Sequence, residues 1–106
     1  MPVPIEVKIT QDGDVYCVPD PAPMSKGATP DKRFKWTCKA GEFTLKVEEP
    51  SPFENSKKDF DSADDPPGKQ IFARVKDDAE GAFVYTVEVK VSSGKKIGDP
   101  GLIIKP

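Results

Sequence analysis

The densest group of side chains that could bind a ligand is a cluster of carboxylates: Asp59, Asp61, Asp64 and Asp65. Calcium loops place oxygen ligands at alternating positions and end on a bidentate glutamate at the twelfth position. Here Ala63 interrupts the alternation, and Gln70 stands at the twelfth position. The pattern therefore favours a solvated acidic loop, with a calcium site as the alternative.

The thiols are a second group of candidates for metal binding or nucleophilic chemistry. The chain contains two cysteines, Cys17 and Cys38, and no histidine. Two cysteines alone do not complete a four-ligand zinc site, and no imidazole is available to activate a catalytic thiolate. Both lie in runs predicted to be strands, where they could face each other across a sandwich. Buried apolar thiols are the favoured interpretation, and a disulfide is the alternative for a secreted protein.

Aromatic side chains could instead form a sugar-binding platform. Trp36, Phe83 and Tyr85 are available for stacking, but alternating aromatics of this kind more often form a core. Phe72 is the better surface candidate, because it shares the polar face of its strand with Arg74 and Lys76.

The charge balance does not favour a strongly charged partner. There are 16 basic and 18 acidic residues, a formal net charge of −2. This balance gives no reason to expect a nucleic-acid or anionic-membrane partner. No apolar run approaches the ~20 residues of a membrane span. Residues 1–10 lack the basic start and apolar stretch of a signal peptide, so a cytoplasmic protein is expected, or an extracytoplasmic one if a leader has been removed.

The elements that must position these residues are predicted to be strands in one domain, residues 1–106. Twelve prolines leave little room for long helices. Apolar and polar residues alternate in most of the predicted strands. The predicted strands cover residues 3–10, 15–18, 34–39, 43–48, 71–76, 83–91 and 102–105. The third and fourth are predicted to form a hairpin around Gly41, and the sequence SSGKKIGDPG is predicted to be a turn.

One short helix is predicted over residues 51–60, with a plain loop as the alternative. Ser51 can cap it, and Glu54 lies three residues later, as in a capping box. Phe53 and Phe60 are seven residues apart and would share one helical face.

About seven strands with frequent turns indicate an all-β fold, a Greek-key β-sandwich. The expected core residues are Val7, Trp36, Phe43, Leu45, Val75, Phe83, Tyr85 and Val87.

Five segments, YCVPDP, FKWTC, SPF, GAFVYTV and DPGLII, resemble the cupredoxin fold and a group of small bacterial cupredoxin-like proteins. Immunoglobulin-like sandwiches share much of the pattern and are the alternative. A blue-copper site needs two histidines, a cysteine and usually a methionine. The resemblance places the first histidine near Gly41 and Glu42, the cysteine at Val87 and the second histidine in the SSGKKIGDPG loop. None of these positions holds a ligand, so the resemblance implies the scaffold without its copper site.

The sequence therefore predicts a non-catalytic, metal-free module without a cofactor. It would bind a protein partner through loops or a strand edge, because loops on a rigid scaffold are the usual place for function. The alternative is a secreted module that binds carbohydrate or calcium. An enzyme would need paired titratable groups in a pocket, drawn here from Asp, Glu and Lys, and is not expected.

Overall fold

The computed structural model describes residues 2–64, 69–91 and 94–106, with the backbone alone for 91 and 94–96. Over these residues the chain forms ten strands and two short 3-10 turns, and the predicted all-β class is confirmed. The strands are β1 (Val3–Ile9), β2 (Val15–Val18), β3 (Ala22–Ser25), β4 (Arg33–Cys38), β5 (Phe43–Val47), β6 (Asp59–Asp61), β7 (Gln70–Arg74), β8 (Gly81–Val91), β9 (Gly94–Gly98) and β10 (Gly101–Lys105). The 3-10 turns are Glu54–Ser56 and Ser62–Asp64.

The strands form two sheets. The first has the order β2-β1-β4-β7, in which β1 and β4 are parallel. The second has the order β3-β10-β8-β5-β6, in which β3 and β10 are parallel, and β9 also pairs with β8. The eleven residues of β8 join three other strands, β10, β5 and β9.

Apolar side chains of both sheets form one hydrophobic cluster. Because successive side chains of a strand point to opposite faces, the alternating runs place one apolar set in this cluster. Phe83 is partly buried and packs against it. The other seven predicted core residues are buried: Val7, Trp36, Phe43, Leu45, Val75, Tyr85 and Val87.

The predicted hairpin is wrong. β4 lies between β1 and β7 in the first sheet, whereas β5 lies between β8 and β6 in the second. The connection through Gly41, whose φ is +147°, passes from one sheet to the other. Alternation specifies which face of a strand is buried but not which strand is its neighbour, so it fits this connection as well as a hairpin.

The predicted helix over 51–60 is also wrong. Phe53 and Lys57 have extended dihedral angles (φ −92°, ψ 157° and φ −64°, ψ 129°), with only a short 3-10 turn between them. The Ser51 hydroxyl accepts a hydrogen bond from the Phe53 N–H (3.2 Å) and donates one to the Lys57 carbonyl (2.7 Å). It therefore closes a tight loop instead of capping a helix. Phe53 and Phe60 still meet, with ring centroids 5.4 Å apart.

The described residues form ten strands, whereas the sequence predicted about seven, and three short strands account for the difference. β3 lies in the proline-rich segment, β6 in the predicted helix and β9 in the predicted SSGKKIGDPG turn. Of that turn, Ser92 and Ser93 lie outside the described residues. β9 forms a hairpin with the long strand β8.

The two sheets approach closely where Gly98 of β9 meets Val15 of β2. A Cβ atom on Gly98 would lie 3.0 Å from the carbonyl carbon of Val15 and 3.2 Å from its Cβ, and closer still to its carbonyl oxygen. Glycine in a strand often marks such an approach of two backbones. Gly98 therefore lets this corner of the sandwich close.

Candidate functional site

The outer edge of β7 is the candidate functional site. β7 ends the first sheet and pairs with β4 on one side. The N–H of Val75, directly after β7, donates to the Lys32 carbonyl just before β4, at 2.8 Å. Backbone groups of alternate residues face opposite sides of an antiparallel strand. The backbone N–H and carbonyl groups of residues 71 and 73 therefore face β4, whereas those of Phe72 point outward, away from the sheet.

The backbone of Phe72 is open on this side. Neither its N–H nor its carbonyl hydrogen-bonds to another described residue. The ladder with β4 is continuous from Gln70 to Arg74, and this stretch contains no proline. An unpaired, regular edge of this kind is a template for pairing with another chain.

The end of the same edge is already covered by the chain itself. The N–H of Lys76 donates to the Pro52 carbonyl at 2.8 Å, and Phe53 forms a β-bridge with Val75. The second and third residues after Phe53, Asn55 and Ser56, have positive φ angles of 61° and 53°. The chain then joins the other sheet as β6. Coverage by residues 52 and 53 shows that this edge accepts an extended segment, and it stops short of Phe72.

Two cations lie over the ring of Phe72. The guanidinium of Arg33 is 5.2 Å from the ring centroid and the ammonium of Lys35 is 5.5 Å from it. Cations at such distances are attracted to the face of an aromatic ring. Arg33 also contacts Asp31 at 3.4 Å, whereas Lys35 forms no ion pair with a described residue.

Shallow cavities follow the edge of β7. The central one, of about 140 Å³, lies between β6 and β7, and its apolar lining consists of Phe60, Ile71 and Phe72. The charged residues on its rim are Lys57, Asp61 and Asp64. Cavities of about 390 and 240 Å³ lie at the beginning and the end of the strand.

Two other sheet edges carry features that oppose pairing. β3 contains Pro23, and the Lys26 N–H donates to the Lys105 carbonyl of β10. By alternation Pro23 then faces outward, where it offers no donor. β6 has three residues, two of them acidic, and short charged edges resist pairing.

The predicted acidic cluster lines a groove on the outer face of β5, β6 and β8. The groove has a volume of about 430 Å³ and also contains Lys46. Its carboxylates are Asp59, Asp61, Asp64 and Glu88. Asp65 lies outside the described residues. Among the described residues no group of three or more Cys, Asp or Glu side chains is arranged to hold a metal ion, so the groove adds no support for calcium binding.

The two cysteines lie in the same sheet, and the expectation that they face each other across the sandwich is wrong. Cys17 and Cys38 flank β1, and both are opposite Val7. Strands are spaced about 4.8 Å apart, so the two Cα atoms are about 10 Å apart. Disulfides need a Cα separation below about 7 Å. Both thiols are free and buried, and burial raises the pKa of Cys17 to about 11.

The aromatic candidates Trp36 and Tyr85 belong to the core. The Trp36 Nε1–H donates to the Tyr85 hydroxyl at 2.9 Å. Burial raises the pKa of Tyr85. Both rings are 1% exposed or less, so neither offers a stacking surface to a sugar.

The position that the resemblance gives to a copper-binding cysteine, Val87, is also fully buried in the core. No family model, curated protein or solved structure matches this chain. In the part of the chain that the structure describes, no helix is long and apolar enough to cross a membrane.

Sequence reasoning missed the free edge of β7, because strand order is not encoded in alternation. One signal pointed to it: Phe72 is a large aromatic on a polar face. The structure places Phe72, half-buried, at this edge.

Proposed function

We propose that this chain is a non-catalytic, metal-free module that binds a protein partner by adding an extended segment of that partner to the edge of β7. The outward N–H and carbonyl of Phe72, which hydrogen-bond to no other described residue, carry the proposal. Strand addition satisfies such groups with main-chain hydrogen bonds, and cavities for alternate side chains supply specificity. It requires no cofactor.

The chemistry of the side chains supports binding over catalysis. The chain has no histidine to act as a general base near neutral pH. The Cys17 thiol is buried with a raised pKa, and nucleophilic cysteines need the thiolate.

The expected binding is weak and transient. Each backbone hydrogen bond contributes only about 0.5–1.5 kcal/mol net, and a five-residue edge offers few of them. Filling the central cavity with one aliphatic side chain adds about 1.5–3 kcal/mol. Because association itself costs several kcal/mol, we expect dissociation constants of about 1 μM or weaker.

The proposal extends to the connectivity of the fold. We propose Greek-key connections and a cupredoxin-like sandwich without its copper site, with an immunoglobulin-like sandwich as the alternative. Two sheets, and a glycine-aromatic-tyrosine strand that buries Val87, support this view. A crystal structure compared strand by strand with both folds would decide between them.

Two substitutions at Phe72 test the edge. Phe72→Pro removes the outward N–H without removing a bond to β4, and proline is tolerated at such edge positions. Phe72→Thr removes the ring but keeps the N–H and suits a strand. Both variants are checked for native-like thermal unfolding. If Phe72→Pro does not fold, Arg74→Pro removes the next outward N–H along the strand.

The probe is a displayed library of random peptides selected on the unmodified protein. We expect selected peptides to bind Phe72→Pro at least about tenfold more weakly than Phe72→Thr, since both variants lack the ring and only proline also removes the N–H, and a lost partner for a backbone group costs about 1–3 kcal/mol. Equal affinity for both variants would place recognition elsewhere and contradict the proposal.

A further inference from the structure

We infer that the segment bound at β7 alternates acidic with apolar side chains; this inference rests on the proposed strand addition. Successive side chains of an added strand point to opposite faces of the sheet. One set would lie beside Phe72 on the outer face of the first sheet. The other set would point into the cavity between β6 and β7. The two environments differ in charge, so each selects a different kind of side chain.

The outer face beside the edge is cationic. The outward positions of β4 and β7 carry three cations, Arg33, Lys35 and Arg74, and no acidic residue. Arg33 and Arg74 have acidic neighbours outside these strands, at 3.4 and 3.1 Å. Lys35 has no ion-pair partner among the described residues, so it is the cation most available to a ligand.

The ring of Phe72 directs two of these charges toward the free edge. Lys35 lies opposite Phe72 on the neighbouring strand, and its ammonium extends over the ring. The Arg33 guanidinium takes a similar position. A carboxylate beside Phe72 on an added strand would lie within reach of both charges. Opposite charges on one face of a sheet stabilise pairing, so acidic residues are favoured here.

The cavity between β6 and β7, in contrast, favours apolar side chains. Phe60, Ile71 and the ring of Phe72 form its apolar lining, and the volume is about 140 Å³. A cavity of about 150 Å³ holds benzene, so one aliphatic side chain fits. On the rim, Asp61 and Asp64 outnumber Lys57, whose ammonium is 4.7 Å from the centroid of the Phe60 ring, so the rim disfavours an inward carboxylate.

The alternation therefore also fixes the register of the added strand. A shift by one residue would place the acidic side chains beside Asp61 and Asp64, and the apolar ones beside Lys35. Such a shift moves every side chain to the other face, so both sets would lie in unfavourable surroundings.

Three synthetic peptides of about ten residues, the upper length of a common strand, test the inference. All three have valine at every second position. The positions between the valines are glutamate in the first peptide, glutamine in the second and lysine in the third. Dissociation constants are measured by fluorescence polarisation at low salt. We expect the glutamate peptide to bind at least about tenfold more tightly than the glutamine peptide, and added sodium chloride to reduce this preference, because exposed charges are screened.

Substitutions at Lys35 connect the preference to this edge. Lys35→Glu should make the lysine peptide the tighter ligand. Lys35→Gln removes the charge but keeps a polar side chain, so it should weaken the preference for the glutamate peptide without inverting it. Lys8→Glu is the matched control, since Lys8 is an exposed lysine on β1 of the same sheet. It changes the net charge equally and should leave the preference intact.

The outcomes separate this inference from the proposed function. The three peptides could bind equally well, with each binding weakened by Phe72→Pro. That result would overturn the inference that the bound segment is acidic, but it would still support strand addition. Binding that Phe72→Pro does not weaken, or no binding at all, would overturn strand addition and the inference with it. A preference for glutamate that Lys8→Glu reduces as much as Lys35→Glu would reflect net charge alone and would also overturn the inference.

Discussion

The indole N–H of Trp36 in the first sheet donates a hydrogen bond of 2.9 Å to the hydroxyl of Tyr85 in the second. The two rings pack edge to face, with centroids 5.7 Å apart and planes at 78°. Since the bond is buried, both polar groups are satisfied without water. This contact joins the two sheets at the centre of the core.

Removing the Tyr85 hydroxyl tests this contact. Tyr85→Phe leaves the Trp36 N–H buried without an acceptor, which costs about 1–3 kcal/mol of unfolding free energy. The control is Tyr16→Phe, because Tyr16 is 42% exposed and should change stability by less than about 0.5 kcal/mol. Urea denaturation followed by tryptophan fluorescence measures both. Equal stability of the two variants would mean that the buried bond does not contribute.

The approach of Gly98 to Val15 predicts a strongly position-dependent effect of adding one methyl group. Gly98→Ala places a Cβ against the Val15 backbone, which has little freedom to move, so we expect a loss of about 1–3 kcal/mol. Gly27→Ala is the matched control, since its Cβ would meet one carbonyl oxygen at an ordinary 3.8 Å. Thermal unfolding compares the two variants, and an unchanged melting temperature for Gly98→Ala would contradict the close approach of Gly98 to the Val15 backbone.

The buried Cys17 thiol predicts a loss of stability at alkaline pH. Its pKa is raised to about 11 in the folded protein, mainly by burial, whereas an unfolded chain's thiol ionises near pH 8.5, an approximate reference value. Its contribution is therefore complete below about pH 8.5 and is lost as the pH rises toward 11, with a slope of at most about 1.4 kcal/mol per pH unit.

Cys17→Ala separates this titration from that of other groups. Unfolding free energies of both proteins are measured by urea denaturation from pH 7 to 11. We expect the unmodified protein to lose more stability than Cys17→Ala over the upper part of this range. Parallel pH profiles would show that Cys17 ionises equally readily in the folded and unfolded chains.

The strand faces could be predicted from the sequence, but the neighbours of each strand could not. Alternation places Trp36, Leu45 and Val87 in the core, because a pleated strand has a period of two whatever it pairs with. The hairpin between β4 and β5 failed because the turn at Gly41 fits a crossing between sheets equally well. The helix failed because the Ser51 hydroxyl bonds within a loop, and Phe53 meets Phe60 without a helix.

The candidate site depends on this missing information. Phe72 stands out in the sequence as an aromatic on a polar face, but its open backbone follows from β7 being the last strand of its sheet. The cysteines show the same limit, since Cys17 and Cys38 become separated by β1 only once strand order is known.

Hydrogen exchange at single backbone amides tests the open edge of β7 most directly. In the free protein we expect the Phe72 amide to exchange quickly and the Ala73 amide, which faces β4, to exchange slowly, since exchange follows hydrogen bonding and local opening. Saturation with the peptide that alternates glutamate and valine should slow exchange at Phe72 by about tenfold or more, because the amide gains a partner. A Phe72 amide that is already protected in the free protein, or one that stays unprotected while the peptide is bound, would contradict strand addition at β7.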